Sequence, residues 1–175
     1  MHKNSYDMMI TLFSKYILPE YEDKKMKLLD VGSCDVQNVG NYRDMFTFKG
    51  TQKLWSYEGL DIAPGKNVDI VTKDCYNWPL KDGSYDVVIS GQCLEHVEAP
   101  WMWAREVERV IKKDGTLIVI VPWKCNIHRY PVDCWRILPD GFKYLFGTWT
   151  NFNIVETNVK GDGQNDDCFV VAKRN

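Results

Sequence analysis

The strongest hydrophobic pattern in the chain is continuous rather than alternating. Thr116 to Val121 is unbroken and largely β-branched, and Tyr85 to Ser90 is mostly apolar. Runs of this kind fit strands covered on both faces, because a solvated face would show a polar residue at every second position. Shorter apolar runs predict three more strands: Lys27 to Val31, closed by Gly32; Ser56 to Ile62, broken by Pro64 and Gly65; and Val68 to Thr72. Helical spacing appears between them. Met8, Met9, Leu12, Phe13, Tyr16 and Ile17 share one face of a helix over 5–18, with Ser5 as a candidate N-cap and Pro19 ending the run. Pro100 opens a second helix, with Trp103, Ala104, Val107, Val110 and Ile111 on one face. Arg105, Glu106, Glu108, Arg109 and Lys112 take the other face, and Gly115 is placed to end it. A short helix follows from Pro139, with Phe142, Leu145 and Phe146 inward and Gly147 after it. Phe152 to Val159 and Cys168 to Lys173 flank the turn-rich stretch GDGQND, which is a hairpin signal.

Strand and helix alternate first, and an antiparallel pair comes last. That order predicts an α/β fold with an open, mostly parallel, Rossmann-like sheet and helices on both faces. Ligands in such sheets bind beyond the carboxyl ends of the strands. The segments to interrogate are therefore 32–38, 61–65, 74–78, 90–96 and 122–136.

Composition narrows the classes. The 175 residues suit one domain, an N-terminal helix over 1–25 followed by a sheet core over 26–175. With 45% hydrophobic and 26% charged residues, the chain is neither disordered nor collagen-like. A net charge of −2, from 22 basic and 24 acidic residues, argues against broad electrostatic binding to nucleic acid or anionic membrane. The longest apolar run, Leu117 to Val121 extended by Pro122 and Trp123, is too short to cross a bilayer, and the N-terminus shows no secretory pattern. The six cysteines are scattered, with no CxxC pair, which reads as reduced thiols and a cytoplasmic location. The expected partner is a small molecule, with neither nucleic acid nor membrane, and nothing in the pattern sets an oligomeric state. Seven tryptophans are unusual in so short a chain.

The strand ends carry the candidate chemistry. The first strand ends as LLDVGSCDVQNVGNYR, where Asp30 precedes Gly32. Only Gly32 sits where the dinucleotide fingerprint GxGxxG needs glycine, so a simple strand-terminating turn is the alternative. The second strand ends in GLDI, where the Asp61 carboxylate could accept both ribose hydroxyl protons of a nucleoside. The third leads to Asp74 in KDCYNWPL, where a carboxylate could accept from an adenine amino group. Each is also readable as a turn aspartate, but three at successive strand ends are hard to assign to coincidence.

The runs DVGS, GLDI, DGSYDVVISGQCLEHV and EVERVIKKDGTLIVIVP resemble a class I S-adenosylmethionine-dependent methyltransferase, in particular the small methyltransferase-domain group with an LEHV motif. The resemblance covers roughly residues 26–147. It implies a seven-stranded sheet with a reversed C-terminal hairpin, and S-adenosylmethionine as cofactor. By resemblance, Asp30, Gly32 and Ser33 would line the methionine part. Asp61 and Ile62 would hold the ribose and flank the adenine, while Asp74 and Cys75 would meet the adenine edge. Ser90, Gly91 and Gln92 would lie beside the sulfonium end, with His96 near the reacting centre. The usual G-x-G-x-G loop is replaced here by Gly32, Ser33, Cys34, Asp35 and Val36. That departure keeps open a second reading, a catalytically inactive cofactor-binding partner protein. A third, an NAD(P)-dependent reductase, is disfavoured by the missing GxGxxG.

Methyl transfer from a sulfonium needs mainly alignment and exclusion of water, and a base only when the acceptor loses a proton. The segment VPWKCNIHRYPVDCWRILPDGF after the fifth strand offers the acceptor side. His128 titrates near neutrality and could act as base, with Asp133 to orient it. Arg129 or Arg136 could pair with an anionic acceptor. Trp101, Trp123, Tyr130 and Trp135 could wall a small-molecule or glycan-like acceptor. The structural alternative is a loop in which Asp133 pairs with an arginine. The HRYPVDCWR run also matches the resembled group, which leaves catalytic and architectural roles equally open. Cys125, His128 and Cys134 have zinc-like spacing but lack a fourth ligand, so no metal is expected. Trp103 fits the core better than Trp101 does.

Overall fold

A computed structural model of the chain describes residues 3–36, 40–46, 54–161, 163 and 166–175. Its centre is a seven-stranded sheet in the order β3-β2-β1-β4-β5-β7-β6. The strands are β1 (Met26–Val31), β2 (Trp55–Asp61), β3 (Ile70–Val71), β4 (Tyr85–Gly91), β5 (Ile111–Lys124), β6 (Phe152–Lys160) and β7 (Asp166–Arg174). The first five pair in parallel, and β7 runs antiparallel to both β5 and β6. The predicted α/β architecture with a C-terminal antiparallel hairpin is the one observed. Of the GDGQND turn, residues 162, 164 and 165 lie outside the described residues, as do residues 37 and 38 of the loop after β1.

The unbroken strands earn their apolar character by facing two cores. Leu117, Val119 and Val121 of β5 pack with Val88, Val170 and Ala172 on one face. Helix α4 (Pro100–Val110) covers that face through Trp103, Ala104, Val107 and Val110, and Phe142 and Phe146 extend the cover. Ile118 and Ile120 point the other way, with Leu28, Val87, Ile89 and Phe169. Helix α1 (Lys3–Tyr16) closes that side through Met8, Met9, Leu12 and Phe13.

Several element ends differ from the sequence expectation. The N-terminal helix ends at Tyr16, two residues short of the expected bound, and Pro19 sits in the first turn of a second short helix, α2 (Leu18–Tyr21), where its missing N–H costs no helical bond. Helix α4 stops at Val110 rather than near Gly115, because Ile111 turns to extended backbone and begins pairing with Tyr85 of β4. The chain then turns with Asp114 at φ 63° before the apolar stretch of β5. The third strand shortens to Ile70–Val71. A four-residue helix α3 (Arg43–Phe46) follows the loop after β1. The helix from Pro139 is α5 (Pro139–Phe142), continued by a wider turn over Lys143–Thr148 that keeps Phe142 and Phe146 fully buried.

The polar face of α4 is not simply solvated. Arg109 grips Glu106 through two hydrogen bonds of 2.9 and 2.7 Å. It also donates to the Leu80 carbonyl at 2.7 Å, to Asp82 at 2.7 Å and to the Trp78 carbonyl at 3.1 Å. Glu106 in turn accepts from the Trp78 backbone N–H at 2.8 Å. One guanidinium thereby pins the loop that carries buried Trp78 against α4. On the far side of the sheet, Asp30 is 2% exposed and accepts from the Tyr57 hydroxyl. Desolvation pushes its carboxyl up to about 7, while the Tyr57 bond and Arg43 pull the other way.

Two outcomes follow from this packing. Arg109→Ala leaves Glu106 without its cation and frees three loop acceptors, so it should lower unfolding stability by about 2–4 kcal/mol by denaturant titration. Lys143→Ala, which removes one exposed pair with Asp140, should stay within about 0.5 kcal/mol. The second outcome concerns pH. An unfolded aspartate titrates near 4, so between roughly pH 4 and pH 7 the native state holds a proton at Asp30 that the unfolded chain has released. That group's contribution therefore falls as pH rises through the window and is constant outside it. Asp30→Asn should flatten the stability profile there relative to wild type, and parallel profiles for the two proteins would refute a buried, proton-retaining Asp30.

Candidate active site at the carboxyl ends of the strands

The carboxyl ends of β1, β2 and β4 open into one cavity of about 770 Å³, whose walls also include the chain after β5. At one end lie Asp61, Ile62, Thr72 and Cys75; at the other lie His96, His128, Arg129 and Tyr130. Asp30, Gly32, Ser33, Gly91 and Gln92 line the middle.

Close backbone approach sets the floor. A Cβ on Gly91 would fall 2.0 Å from the Tyr42 hydroxyl oxygen, and one on Gly32, which has φ +80°, would fall 2.4 Å from Cys93 Sγ. Gln92 adopts φ 58°, an uncommon conformation for a residue with a side chain. Its backbone N–H is held by Ile120 at 2.9 Å and its side-chain amide by Asp167 at 3.1 Å. Asp167 also accepts from Ser5 of α1 at 2.6 Å, so the N-terminal helix braces the end of β4.

The Asp61 carboxylate organises the loop after β1. One oxygen accepts from the Cys34 N–H at 2.9 Å, and the other accepts from Ile62 at 2.7 Å and Ala63 at 3.3 Å. A carboxylate has about four acceptor sites, so capacity toward the cavity remains. Further along, Ser33 Oγ and the Tyr42 hydroxyl are buried with no hydrogen-bond partner among the described residues. Both line the cavity. Orphaned hydroxyls beside a carboxylate and two glycines suit a polar ligand with an amino-acid head group and a ribose. The residues present thus fit S-adenosylmethionine.

The far end is built by a turn and a loop. Leu94–His96 forms one 3₁₀ turn after β4. The Glu95 carbonyl accepts from the N–H groups of Cys134 at 2.8 Å and Trp135 at 3.2 Å, which stitches the 125–136 loop over the turn. Asp133 is engaged by Arg136 at 2.6 and 2.8 Å and by the His128 backbone N–H at 2.8 Å. The Arg136 guanidinium holds its carboxyl well below the usual range. The His128 ring Nδ1 is 3.7 Å from Asp133 but 3.2 Å from the Asn126 carbonyl. Asp133 therefore fixes the loop backbone and leaves ring orientation to Asn126. The Glu95 carboxylate raises His128 above the ordinary imidazole value, against the lowering effect of burial. His96 and His128 meet edge to face, their centroids 5.1 Å apart.

Of the residues singled out from sequence, Asp30, Gly32, Ser33, Asp61, Ile62, Cys75, Gly91, Gln92, His96, His128, Arg129 and Tyr130 border the cavity. The others do not. Asp74 is exposed and accepts from the Tyr76 N–H, stabilising a turn. Ser90 is buried and donates to the Val31 carbonyl between strands. Trp101 and Trp135 pack edge to face on the outside, with centroids 6.5 Å apart, and Trp135 donates to the Val97 carbonyl. Trp123 packs against the core on the α4 face. Arg136 is committed to Asp133. Cys125 reaches the cavity while Cys134 is exposed, so the zinc-like spacing does not gather.

Trp78, in the segment 74–78 singled out at a strand end, borders the cavity, and Trp103, expected in the core, borders it too; the two rings meet edge to face at 5.9 Å. Sequence reasoning missed other wall residues. Tyr42 and Asn41 also line it, and the NYR of DVGSCDVQNVGNYR was the available signal. Four cavity thiols, Cys34, Cys75, Cys93 and Cys125, are all pushed up by desolvation and stay protonated near neutrality, which argues against a cysteine nucleophile. Glu95, fully buried beside both histidines, was overlooked as an ordinary acid.

The chain is similar to known proteins in sequence and fold. Ajmaline N-methyltransferase of Rauvolfia serpentina is 28% identical over 120 residues, which is 62% of this chain and 38% of that protein. Norajmaline N-methyltransferase of the same plant is 31% identical over 65 residues, 36% of this chain and 22% of that one. The chain thus matches well under half the length of either relative. Among solved structures, the [4+2]-cyclase SpnF superposes with a TM-score of 0.71 at 15% identity, over 96% of this chain and 81% of its own. An S-adenosylmethionine-dependent methyltransferase from Methanosarcina mazei gives 0.63 at 14% identity, over 91% and 97%. At those identities the likeness is one of fold, and the cyclase shows that the fold alone does not set the reaction. The family model for the methyltransferase domain, however, matches residues 29–119, from β1 through most of β5, and with that the chain belongs to the methyltransferase-domain family.

Proposed function

We propose that the chain is an S-adenosylmethionine-dependent methyltransferase acting on a small-molecule or glycan-like acceptor. The carrying observation is the single cavity of about 770 Å³ that joins Asp61 to His96 and His128. Ligand pockets commonly span about 300–1,000 Å³, so this one has room for a nucleoside cofactor with a small acceptor beside it.

In this reading Asp61 accepts from the ribose hydroxyls, and Ile62 and Cys75 flank the base. Thr72 takes the place at the adenine end that the exposed Asp74 does not fill. Gly32 and Gly91 let Cys93 and Tyr42 pack close against the backbone beside the methionine part, where Ser33 and Tyr42 offer their unpaired hydroxyls. The cofactor, when bound, supplies a methyl group activated by a sulfonium leaving group. The chain's own work is alignment and desolvation. Trp78, Trp103 and Val97 keep the middle of the cavity apolar, which excludes water from the transfer path. Arg129 and Tyr130, both exposed on the rim, meet the acceptor as it enters. The cluster of Glu95, His96 and His128 is the proton-handling end, placed where an acceptor hydroxyl or ammonium must lose its proton. Asp133 and Arg136 act one step back, as positioning residues for the loop.

Isothermal titration should show one saturable site for S-adenosylmethionine or S-adenosylhomocysteine per chain, and none for NAD. Asp61→Ala removes the ribose acceptor and loosens the Cys34 loop, and should weaken cofactor binding about 10- to 100-fold. His128→Ala should leave that affinity within about twofold, yet lower kcat with any acceptor found by screening. Absence of cofactor binding in the wild type would overturn the cofactor assignment. Binding without turnover across a broad acceptor panel would favour the inactive partner instead.

A further inference from the structure

The acceptor end buries a carboxyl group beside two imidazoles, at distances that leave it without a hydrogen bond to either. Glu95 is 0% exposed, and both carboxylate oxygens lack a hydrogen-bond partner among the described residues. Leaving an ionised carboxylate so buried is costly unless a cation or donor meets it. The nearby guanidinium of Arg136 is occupied by Asp133.

Two imidazoles face that carboxylate. Glu95 Oε1 lies 3.6 Å from His96 Nε2 and 3.9 Å from His128 Nε2. One ligand atom from each of the three residues falls within 4.8 Å of the others. These separations are too long for hydrogen bonds. They approach the spacing of atoms sharing one ion, since ligands about 2.0–2.1 Å from a tetrahedral cation stand roughly 3.4 Å apart.

The opposite nitrogens decide the matter of lone pairs. His96 Nδ1 is 2.5 Å from the Val132 carbonyl, and His128 Nδ1 is 3.2 Å from the Asn126 carbonyl. A carbonyl only accepts, so each Nδ1 carries the proton and each Nε2 presents a lone pair toward Glu95. Carbonyls that fix the tautomer from behind are the usual support of metal-binding histidines. His96 and His128 also line the cavity, so an ion between them would keep coordination positions open toward it. Two histidines, one carboxylate and open positions describe a catalytic rather than a structural metal site.

We propose that Glu95, His96 and His128 bind one divalent transition-metal cation of the zinc(II) class, with its open positions facing the acceptor end of the cavity. The role given to those open positions, holding an oxygen-bearing acceptor and lowering its pKa in place of an imidazole base, rests on the reading under Proposed function; the cation site itself stands on its own geometry. It shares only His128 with the Cys125–His128–Cys134 spacing: Glu95 and His96 stand in place of both cysteines.

Cobalt(II) is the probe, added to chelator-treated protein without cofactor and followed by visible absorption and by competition with zinc(II). The wild type should bind one cobalt ion per chain, with a d–d spectrum free of a thiolate charge-transfer band. Glu95→Gln preserves shape and should weaken uptake about tenfold or more, as should His128→Ala in the part-exposed loop, which leaves the core untouched. Circular dichroism confirms that each variant is folded, and His128→Ala keeps the test decisive if Glu95→Gln is not. No cobalt uptake by wild type, equal uptake by both variants, or a thiolate band would overturn the site. Titration of S-adenosylhomocysteine into the same wild-type preparation reads the cofactor assignment separately, so either proposal can fail alone.

Discussion

The structure depends on two strands that are buried on both faces. Between Tyr85 and Gly91 in β4, and between Thr116 and Val121 in β5, nearly every side chain is out of solvent. Parallel pairing on both edges of β4, and parallel then antiparallel pairing on the two edges of β5, satisfies the backbone there, and apolar side chains fill both cores. No polar chemistry can sit inside such a sheet without a large desolvation cost. It is displaced to the carboxyl end, where the strands stop and the chain must turn. Gln92, at φ 58°, and the Leu94–His96 turn, which buries Glu95, lie just past that limit.

Both covering layers serve this end as well as the core. Helix α1 buries Met8, Met9, Leu12 and Phe13, and its Ser5 reaches through Asp167 to Gln92. Helix α4 buries Trp103 and Val107, and its Arg109 fixes the loop of Trp78. Each layer thus contributes one polar chain that ends on a cavity wall. Packing and site geometry are set by the same contacts, so loosening a brace far from the cavity reaches its walls.

What could be read from sequence follows the same division. Continuous apolar runs named the central strands, and strand–helix alternation gave the sheet, because burial on two faces leaves a one-dimensional trace. Positions fixed directly by a strand end, Gly32, Asp61, Gly91 and Gln92, were also legible. Residues brought in by long-range folding were not. Trp101, Trp123 and Trp135 looked like pocket walls because they lie near strand ends in sequence, but side-chain direction sends them outward or into the core. Trp78, also near a strand end, does reach the cavity, and Trp103 joins it from α4. His128 and Asp133 read as a base and its orienter by proximity, whereas Arg136 is the better partner for that carboxylate at 2.6 Å.

Glu95 is the sharpest case. In sequence it is one acidic residue between Leu94 and His96, with nothing to mark it as buried. Its position follows from two backbone hydrogen bonds to Cys134 and Trp135, nearly forty residues away, which draw the loop down over the turn. The same closure brings His128 beside His96. A carboxylate enclosed this way is destabilising for the fold taken alone. Its persistence beside two oriented lone pairs makes sense as binding capacity held in reserve, with stability given up at one point to keep a site ready for a charge that arrives later. Local cost and site geometry coincide at Glu95, at the end of the sheet where the cavity opens.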